Sequence, residues 1–255
     1  MIRFSSLGSG SGGNGLLVVC GETRVLLDCG FSLAETEQRL RRLGMAPELL
    51  TAILVTHEHT DHLGGVARLA RRLDLPVYGS FGSLSHLRGE LDDALLRAVE
   101  TDVSFAIDAL MVEPYAVPHD AREPLQYVLG DGQRRLGVLT DCGRATPHIV
   151  DMLKCCDALF LEANHDRDML RNGPYPTLLR ERVGGPFGHL SNDQAADLLA
   201  QLNHARLQHV VAAHISHKNN TAQLAQAALA QALDCPVDEV AVADQDLGLD
   251  WREVS

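Results

Sequence analysis

Short apolar runs alternate along this chain with segments in which apolar residues recur every three or four positions. The runs are too short for helices and predict buried strands at residues 2–7, 16–20, 24–28, 52–55, 77–78, 111–117, 125–129, 136–139, 158–161, 207–213 and 237–243. Helical spacing falls at residues 33–43, 63–73, 84–99, 145–154, 192–206 and 219–233. This alternation predicts an α/β fold. Because no linker-like composition divides the chain, we expect one domain over residues 1–255.

Composition sets limits on this picture. With 255 residues, of which 45% are hydrophobic, the chain can bury a sizeable core. Its six cysteines are dispersed without a CxxC pair, which is typical of reduced thiols. A net charge of −12 argues against a broad surface that coats nucleic acid, and it leaves room for a local basic patch. No apolar stretch reaches the roughly 18 residues of a membrane span, and no signal peptide is recognisable. We therefore expect a cytoplasmic protein without a membrane partner or an obligate protein partner.

The glycine- and serine-rich segment 8–15 follows the first predicted strand. It lacks the Lys-Ser/Thr pair of a P-loop, and no long helix follows it directly. We interpret it as a flexible rim loop in preference to a phosphate cradle.

Three histidines and an aspartate are concentrated in the segment that follows the apolar run 52–55. They are His57, His59, Asp61 and His62, and a helical pattern begins directly after them. Imidazole nitrogens and carboxylate oxygens are suitable ligands for borderline divalent metals such as zinc. A loop between a strand and a helix can direct the first two side chains one way and the last two another. The pattern therefore favours two metal ions side by side.

Further candidate ligands stand where other predicted strands end. His119, Asp141 and His214 each follow an apolar run, and α/β sheets place their sites at such strand ends. Any one of them alone would be an ordinary buried histidine or turn carboxylate. Their occurrence together indicates a shared site.

His189 and Glu162 form a candidate pair of a different kind. His189 precedes Ser191 and Gln194, which can cap a helix, so its imidazole would lie beside free amide donors suited to a phosphate. Glu162 ends an apolar run and could hold His189 in its protonated form or its correct tautomer.

Assembled in this way, the chain resembles the metallo-β-lactamase superfamily, whose HxHxDH signature is matched in full by the cluster at 57–62. The resemblance implies a four-layer αβ/βα sandwich with a dinuclear site at the edge between two sheets. It also implies the ligands: His57, His59 and His119 for the first metal, Asp61, His62 and His214 for the second, and Asp141 as the bridge. Asp28 matches an aspartate that usually orients one of these ligands.

Later motifs resemble those of the one-domain YycJ/VicX-type proteins. They are the segments 160–166, 188–192 and 213–220, together with 8–14 and 117–121. These motifs are similar in turn to those of tRNase Z-type phosphodiesterases, which implies a phosphodiesterase or nuclease, including 5′ exonuclease-like action on DNA or RNA. The sequence departs from those relatives at Cys142, where a threonine is usual, and it lacks an inserted RNA-grasping arm or a nuclease cap domain. Long structured RNA is therefore a less favoured substrate.

The mechanism that follows from this resemblance uses two divalent cations, with zinc the first choice and manganese or iron as alternatives. They would lower the pKa of a bridging water, and the resulting hydroxide would attack the phosphorus. Asp61 is assigned as base or orienting group, and His189, backed by Glu162, as the group that stabilises charge or protonates the leaving oxygen. His189, Asn14 and Arg171 are assigned to binding the substrate, a nucleic acid or a small phosphodiester.

Arg171 belongs to a locally basic stretch with Arg167, Arg180 and Arg182, which could hold a nucleic-acid backbone. Nearby acidic residues (Asp166, Asp168 and Glu181) allow the alternative that this stretch is a solvated face.

Two other function classes stay open from the sequence. A thioester or lactone hydrolase could use the same dinuclear site, but carbonyl chemistry has no need of the His189 motif. A non-catalytic metal-binding module would be expected to have lost ligands, and here all seven positions are filled.

Overall fold

The strands of the protein form two seven-stranded sheets in the computed structural model, which describes residues 1–202 and 204–255. The first sheet has the order β14-β1-β2-β3-β4-β5-β6, with β1 Ile2–Gly8, β2 Gly15–Cys20, β3 Thr23–Leu27, β4 Ala52–Leu54, β5 Val77–Gly79, β6 Leu96–Ala98 and β14 Leu249–Val254. The second has the order β13-β12-β11-β10-β9-β8-β7, with β7 Phe105–Ile107, β8 Leu110–Ala116, β9 Leu125–Gly130, β10 Arg135–Leu139, β11 Ala158–Glu162, β12 His209–Ala213 and β13 Val240–Val242.

Helices cover the outer faces of both sheets. Those that follow strands of the first sheet are α1 Leu33–Arg42, α2 Thr60–Leu63, α3 Val66–Leu73 and α4 Phe81–Leu84. Those that follow strands of the second are α5 Pro147–Leu153, α6 Arg167–Asn172, α7 Thr177–Val183, α8 Asn192–Ala200 and α9 Ala222–Leu233. Short 3-10 turns lie at Pro47–Leu49, Asp93–Leu95, His204–Arg206 and Val237–Glu239. None of the helices that the structure describes is long and apolar enough to cross a bilayer.

Three apolar cores separate the four layers. The central core lies between the sheets and joins side chains of both, such as Phe4 and Leu16 of the first with Tyr127 and Phe160 of the second. A second core packs α1 and α3 against the first sheet, and a third packs α5, α8 and α9 against the second. The predicted four-layer αβ/βα sandwich is thereby confirmed.

The parallel strands determine where polar side chains gather. In the first sheet β3, β4 and β5 run parallel, and in the second sheet β10, β11 and β12 do the same. Asp28, Asp141 and His214 each follow the carboxyl end of one of these strands, and Glu162 is the last residue of another. Parallel strands end at a common edge, so residues far apart in sequence meet there.

The helix predicted at 84–99 is wrong. Helix α4 ends at Leu84, and the chain continues through Gly89, whose φ of +83° ends helical geometry, to a 3-10 turn and strand β6. Leu87 and Leu91 are buried as the helical spacing suggested, but they pack into the core from turns. The helix predicted at 192–206 ends at Ala200, and position 203 of that prediction lies outside the described residues.

Tyr127 connects the two sheets close to the predicted site. Its buried hydroxyl donates a hydrogen bond of 2.6 Å to the carbonyl of Val55, two residues before His57. We expect Tyr127→Phe to lower the free energy of unfolding by about 1–3 kcal/mol, because the Val55 carbonyl would stay buried without a donor. Urea denaturation measures this change. Tyr78→Phe is the control, since its half-buried ring stacks on Phe105 and the described residues offer its hydroxyl no partner; it should cost less than about 0.5 kcal/mol. Equal effects of the two variants would contradict the role of Tyr127.

Candidate metal centre

Three imidazoles converge in front of the carboxyl end of β4. His57 Nε2 lies 3.0 Å from His59 Nδ1, and His119 Nε2 lies 3.3 Å from the same atom. Of two neutral ring nitrogens in contact only one can carry a proton, so the cluster includes unprotonated nitrogens of the kind that bind a cation. The donor atoms of the three residues lie within 4.8 Å of one another, as a shared cation requires.

A second group of donors lies beside the first. It consists of Asp61, His62 and His214, again within 4.8 Å of one another. Asp61 Oδ2 is 3.4 Å from His62 Nε2 and 3.8 Å from His214 Nε2. Asp141 lies between the groups, with Oδ2 3.1 Å from His62 Nε2 and Oδ1 3.9 Å from His119 Nε2. This is the placement that a bridging carboxylate needs.

In several of these rings the nitrogen that points away from the site contacts an oxygen atom of the protein. This contact fixes the tautomer, so that the other nitrogen faces the site without a proton. His57 Nδ1 lies 3.0 Å from the Thr56 hydroxyl, and His119 Nδ1 lies 3.0 Å from the Gly188 carbonyl. Burial lowers the pKa of both His57 and His119, so the rings are neutral, the form that binds metal. The structure thus brings all seven predicted ligands together in a fitting arrangement, and their assignment as ligands stays a prediction.

Asp28 organises the loop that carries most of these donors. Its Oδ2 lies 2.7 Å from His62 Nδ1, and its two oxygens accept hydrogen bonds from the amide and the hydroxyl of Thr56, each 2.8 Å long. Although burial opposes it, the carboxylates of Asp141 and Asp28 raise the pKa of His62 well above its ordinary value. Asp28 thus holds the ring of His62 in place, as the sequence motif indicated.

Three residues of the site adopt left-handed backbone where their strands end. Asp28 has φ +61°, Asp141 φ +49° and His214 φ +50°. Aspartate and histidine both adopt this region more readily than most residues, but at some cost, and such strain is concentrated at functional sites. The His214 amide donates to the Ser9 hydroxyl at 2.9 Å, which helps to hold the turn.

Glu162 and His189 form the predicted pair. His189 Nδ1 lies 2.7 Å from Glu162 Oε1, and Glu162 Oε2 accepts from the amides of Cys142 and Leu190 at 2.9 and 3.1 Å. Against the effect of burial, Glu162 raises the pKa of His189 to about 9. Because Nδ1 is engaged, Nε2 is the nitrogen that remains for a ligand in the cavity that His189 lines. His189 Nδ1 is also 3.5 Å from Asp141 Oδ1, which places the pair against the bridging position.

A cavity of about 350 Å³ opens over these donors and includes residues outside the predicted set of site residues. Arg182 lines it and donates to Asp120 at 2.5 Å, while Asp120 Oδ1 lies 3.5 Å from His119 Nε2. Tyr175 of the turn between α6 and α7 lines the same cavity. The signal available for Asp120 was its position directly after His119. Its pairing with Arg182, 62 positions away, is formed only by the fold.

Asn14 is buried under the site. Its Nδ2 lies 3.2 Å from Asp61 Oδ2 and its Oδ1 accepts from the Gly10 amide at 2.8 Å, which anchors a loop interpreted above as flexible. A Cβ on Gly30 would lie 1.8 Å from the Asp61 carbonyl, so the chain packs closely here. These contacts support a positioning role for Asn14 more than the predicted contact with substrate.

Arg171 lies on α6, outside the lining of the metal cavity. It is exposed, pairs with Asp168 at 3.1 Å, and lines a neighbouring cavity. Arg182 is the arginine that the structure places on the metal cavity.

Comparison with known proteins decides the family. Residues 23–215 match the family model described as the beta-lactamase superfamily domain. The chain belongs to the metallo-β-lactamase superfamily. It is 35% identical to Exodeoxyribonuclease YycJ of Bacillus anthracis over 91% of this chain and 89% of that protein. It is 29% identical to Exodeoxyribonuclease WalJ of Streptococcus pneumoniae serotype 2 over 98% of this chain and 92% of that protein.

A solved structure shares the fold at low sequence identity. The metallo-beta-lactamase fold protein YhfI from Bacillus subtilis superimposes with a TM-score of 0.76 and 16% identity, covering 99% of this chain and 100% of that one. The predicted resemblance to the metallo-β-lactamase superfamily and to YycJ-type proteins is confirmed. As a member of this superfamily with its donor cluster in place, the chain is a metal-dependent hydrolase.

The contact of Asp28 with His62 gives a test of the metal centre in this metallo-β-lactamase fold. Asn tolerates the left-handed backbone of position 28, but its neutral amide holds the imidazole less firmly than a carboxylate. We expect Asp28→Asn to weaken metal binding by about 10–100-fold with the fold intact. Competition against a chromophoric zinc chelator measures the affinity, and circular dichroism checks the fold. Asp168→Asn, on the exposed surface, should bind metal like the wild type. Unchanged affinity in Asp28→Asn would show that His62 needs no such support.

Proposed function

We propose that the chain is a dinuclear metal-dependent phosphodiesterase that acts as an exonuclease on DNA, with zinc as its first-choice metal. The observation that carries the proposal is the Glu162–His189 pair, set against Asp141 at the edge of the donor cluster. A histidine held by a carboxylate beside the metals is suited to bind an anionic oxygen or to protonate a leaving alkoxide. The names of the YycJ and WalJ relatives, both exodeoxyribonucleases, support the same substrate class.

The two groups of donors would hold one cation each. His57, His59 and His119 would bind the first, Asp61, His62 and His214 the second, and Asp141 would contact both. When bound, two such cations supply an acidified water and compensate charge on the phosphate. Nitrogen-rich ligation favours zinc, and manganese and iron remain compatible with the carboxylates.

The charge of the cavity explains why an anionic substrate needs these cations. Asp61, Asp120 and Asp141 all line it, and Arg182 is the lining residue that brings a fixed positive charge. A phosphodiester would be repelled by this lining alone, in a chain whose net charge is −12. The cations would reverse the local sign and so make the cavity selective for anions.

The remaining steps belong to side chains of the chain itself. The Asp61 carboxylate lines the cavity, where it can accept a hydrogen bond from the attacking water and orient it. His189 Nε2 would donate to the phosphate oxygen, or pass a proton to the leaving oxygen as the P–O bond breaks. Glu162 keeps the His189 ring oriented and compensates its positive charge. Asp141 would thus bind the metals, whereas Glu162 would position His189, the acid.

The role of His189 predicts a separation of metal binding from turnover. We expect His189→Ala to lower kcat by about 100- to 10 000-fold, the usual contribution of a general acid, with two metal ions still bound. Steady-state kinetics on a chromogenic aryl phosphodiester and metal analysis of the same sample measure the two quantities. His86→Ala removes an exposed histidine elsewhere and should leave both unchanged. Loss of metal from His189→Ala would instead make His189 a ligand and end its role as an acid.

A substrate panel tests the reaction class. The protein loaded with zinc, manganese or iron is offered single- and double-stranded DNA and RNA with defined 5′ ends, a chromogenic phosphodiester and a thioester. We expect turnover of the phosphodiesters and of DNA, with kcat/KM for the thioester lower by at least about 1000-fold, because a thiolate leaves without a proton and so gains little from His189 as an acid. Preference for the thioester would favour a carbonyl hydrolase. Bound metal without any turnover would favour a non-catalytic module.

A further inference from the structure

A second cavity, of about 470 Å³, lies next to the metal centre and contains none of the proposed metal ligands. Its lining includes Arg167, Arg171 and Arg180, opposed by the carboxylate of Glu181. Three guanidinium groups around one concave surface are unusual in a chain whose net charge is −12. This basic cavity therefore concentrates positive charge where the chain as a whole is acidic.

Helix α7 separates the basic cavity from the metal cavity. The basic cavity is lined by positions 177, 180, 181 and 184, and the metal cavity by positions 179, 182 and 183. Spacings of three and four residues mark one face of a helix, so the two cavities lie on different faces of the same helix. A helix with its side chains is about 10–12 Å across. A substrate strand therefore needs more than one nucleotide to reach from the metal cavity to the basic cavity.

The arginines keep hydrogen-bond donors that the protein does not use. Arg167 contacts Asp193 at 3.4 Å through Nε, and Arg171 contacts Asp168 at 3.1 Å through one terminal nitrogen. Arg180 donates to a carbonyl and a hydroxyl, and among the described residues it forms no ion pair. Each guanidinium carries five N–H donors, so several remain for a ligand, and their planar fork matches a phosphate group.

His165 adds an unpaired polar group to the same lining. The residue is only 3% exposed, and its Nδ1 is buried without a hydrogen-bond partner among the described residues. Buried polar groups are nearly always paired, and an unpaired one calls for a ligand or a water. The cavity thus combines guanidinium donors with a histidine whose Nδ1 lies beneath the cavity surface without a hydrogen-bond partner among the described residues.

We propose that the basic cavity binds a phosphate group of the substrate strand, a few nucleotides from the scissile bond. The proposal rests on the proposed nuclease function, and it assigns to Arg171 a contact with substrate on the far side of α7 from the metals. The phosphate is either an internal phosphodiester or a terminal monoester, since both present the same oxygens to the arginines. Glu181 narrows the part of the cavity that an anion can use.

The test compares the effect of the arginine substitutions on KM for a long substrate and for a short one. In the double variant Arg171→Gln/Arg180→Gln, we expect KM for a single-stranded DNA of about 12 nucleotides to rise about 100-fold, roughly tenfold for each arginine lost, with kcat unchanged. The slope of log KM against log salt should fall by about one for each phosphate contact removed. KM for thymidine 5′-(p-nitrophenyl) phosphate, too short to reach across α7, should not change. Arg68→Gln/Arg72→Gln removes the same two charges from exposed positions on α3 and is the matched control.

Two arms distinguish the sources of the phosphate. If a terminal monoester occupies the cavity, removing the 5′-phosphate from the substrate of the wild type should reproduce the KM of the double variant. If an internal phosphodiester does, KM should instead depend on substrate length and fall once the strand is long enough to reach across α7. Either result supports the phosphate site. An unchanged KM for the oligonucleotide, or an equal rise for the short substrate, would overturn it.

Failure of the nuclease function can be told apart from failure of this inference. Binding without turnover is measured in proteins that carry His189→Ala, with and without the two arginine substitutions. Fluorescence anisotropy with a labelled oligonucleotide gives the affinity of each metal-loaded protein. If the wild type cleaves no nucleic acid but the arginine variant binds the oligonucleotide more weakly, the phosphate site stands and the nuclease function fails. Equal binding by both proteins refutes the phosphate site. Thermal melting confirms that these exposed substitutions leave the fold intact.

Discussion

Three buried carboxylates hold the residues of the candidate site in their arrangement. Asp28, Asp141 and Glu162 are each at most 2% exposed, and an ionised carboxylate at such depth is costly unless donors surround it. Each finds those donors on a different segment of the chain: Asp28 at the loop after β4, Asp141 at histidines that follow strands of both sheets, and Glu162 at the amides of Cys142 and Leu190. Asp141 is satisfied only when the two sheets are correctly packed, so contacts that stabilise the fold also assemble the site.

The direction of the strands in the two sheets determines where the residues of the candidate site gather. Parallel strands deliver their last residues to one edge, and the left-handed turns at Asp28, Asp141 and His214 then direct those side chains inward. A site built in this way belongs to no single segment, because its donors come from residues 57 to 214. The superfamily fold supplies the candidate metal ligands, and the Glu162–His189 pair lies directly beside them.

Much of this site could be predicted from the sequence because strand ends leave a local signal. An apolar run followed by histidine or aspartate, as at Asp141 and His214, requires no knowledge of the partner. The cavity wall leaves no such signal: the pairing of Asp120 with Arg182 and the placement of Arg171 on the far flank of α7 depend on tertiary packing. The helix predicted at 84–99 failed for a related reason, since helical spacing of leucines also fits consecutive turns that pack on a core.

Helix α7 differs from the rest of the site in how it is held. None of its residues is buried, although its seven residues form a wall of both cavities, while the donors behind it are fixed by the carboxylates. Its free energy of local opening is therefore low compared with that of the sheets. The protein thus combines a rigid cluster of metal-site donors with a flexible helix, α7, between its two cavities. Under the proposed function, a strand of variable base sequence would be accommodated by displacement of α7, and the geometry of the metal-site donors would not change.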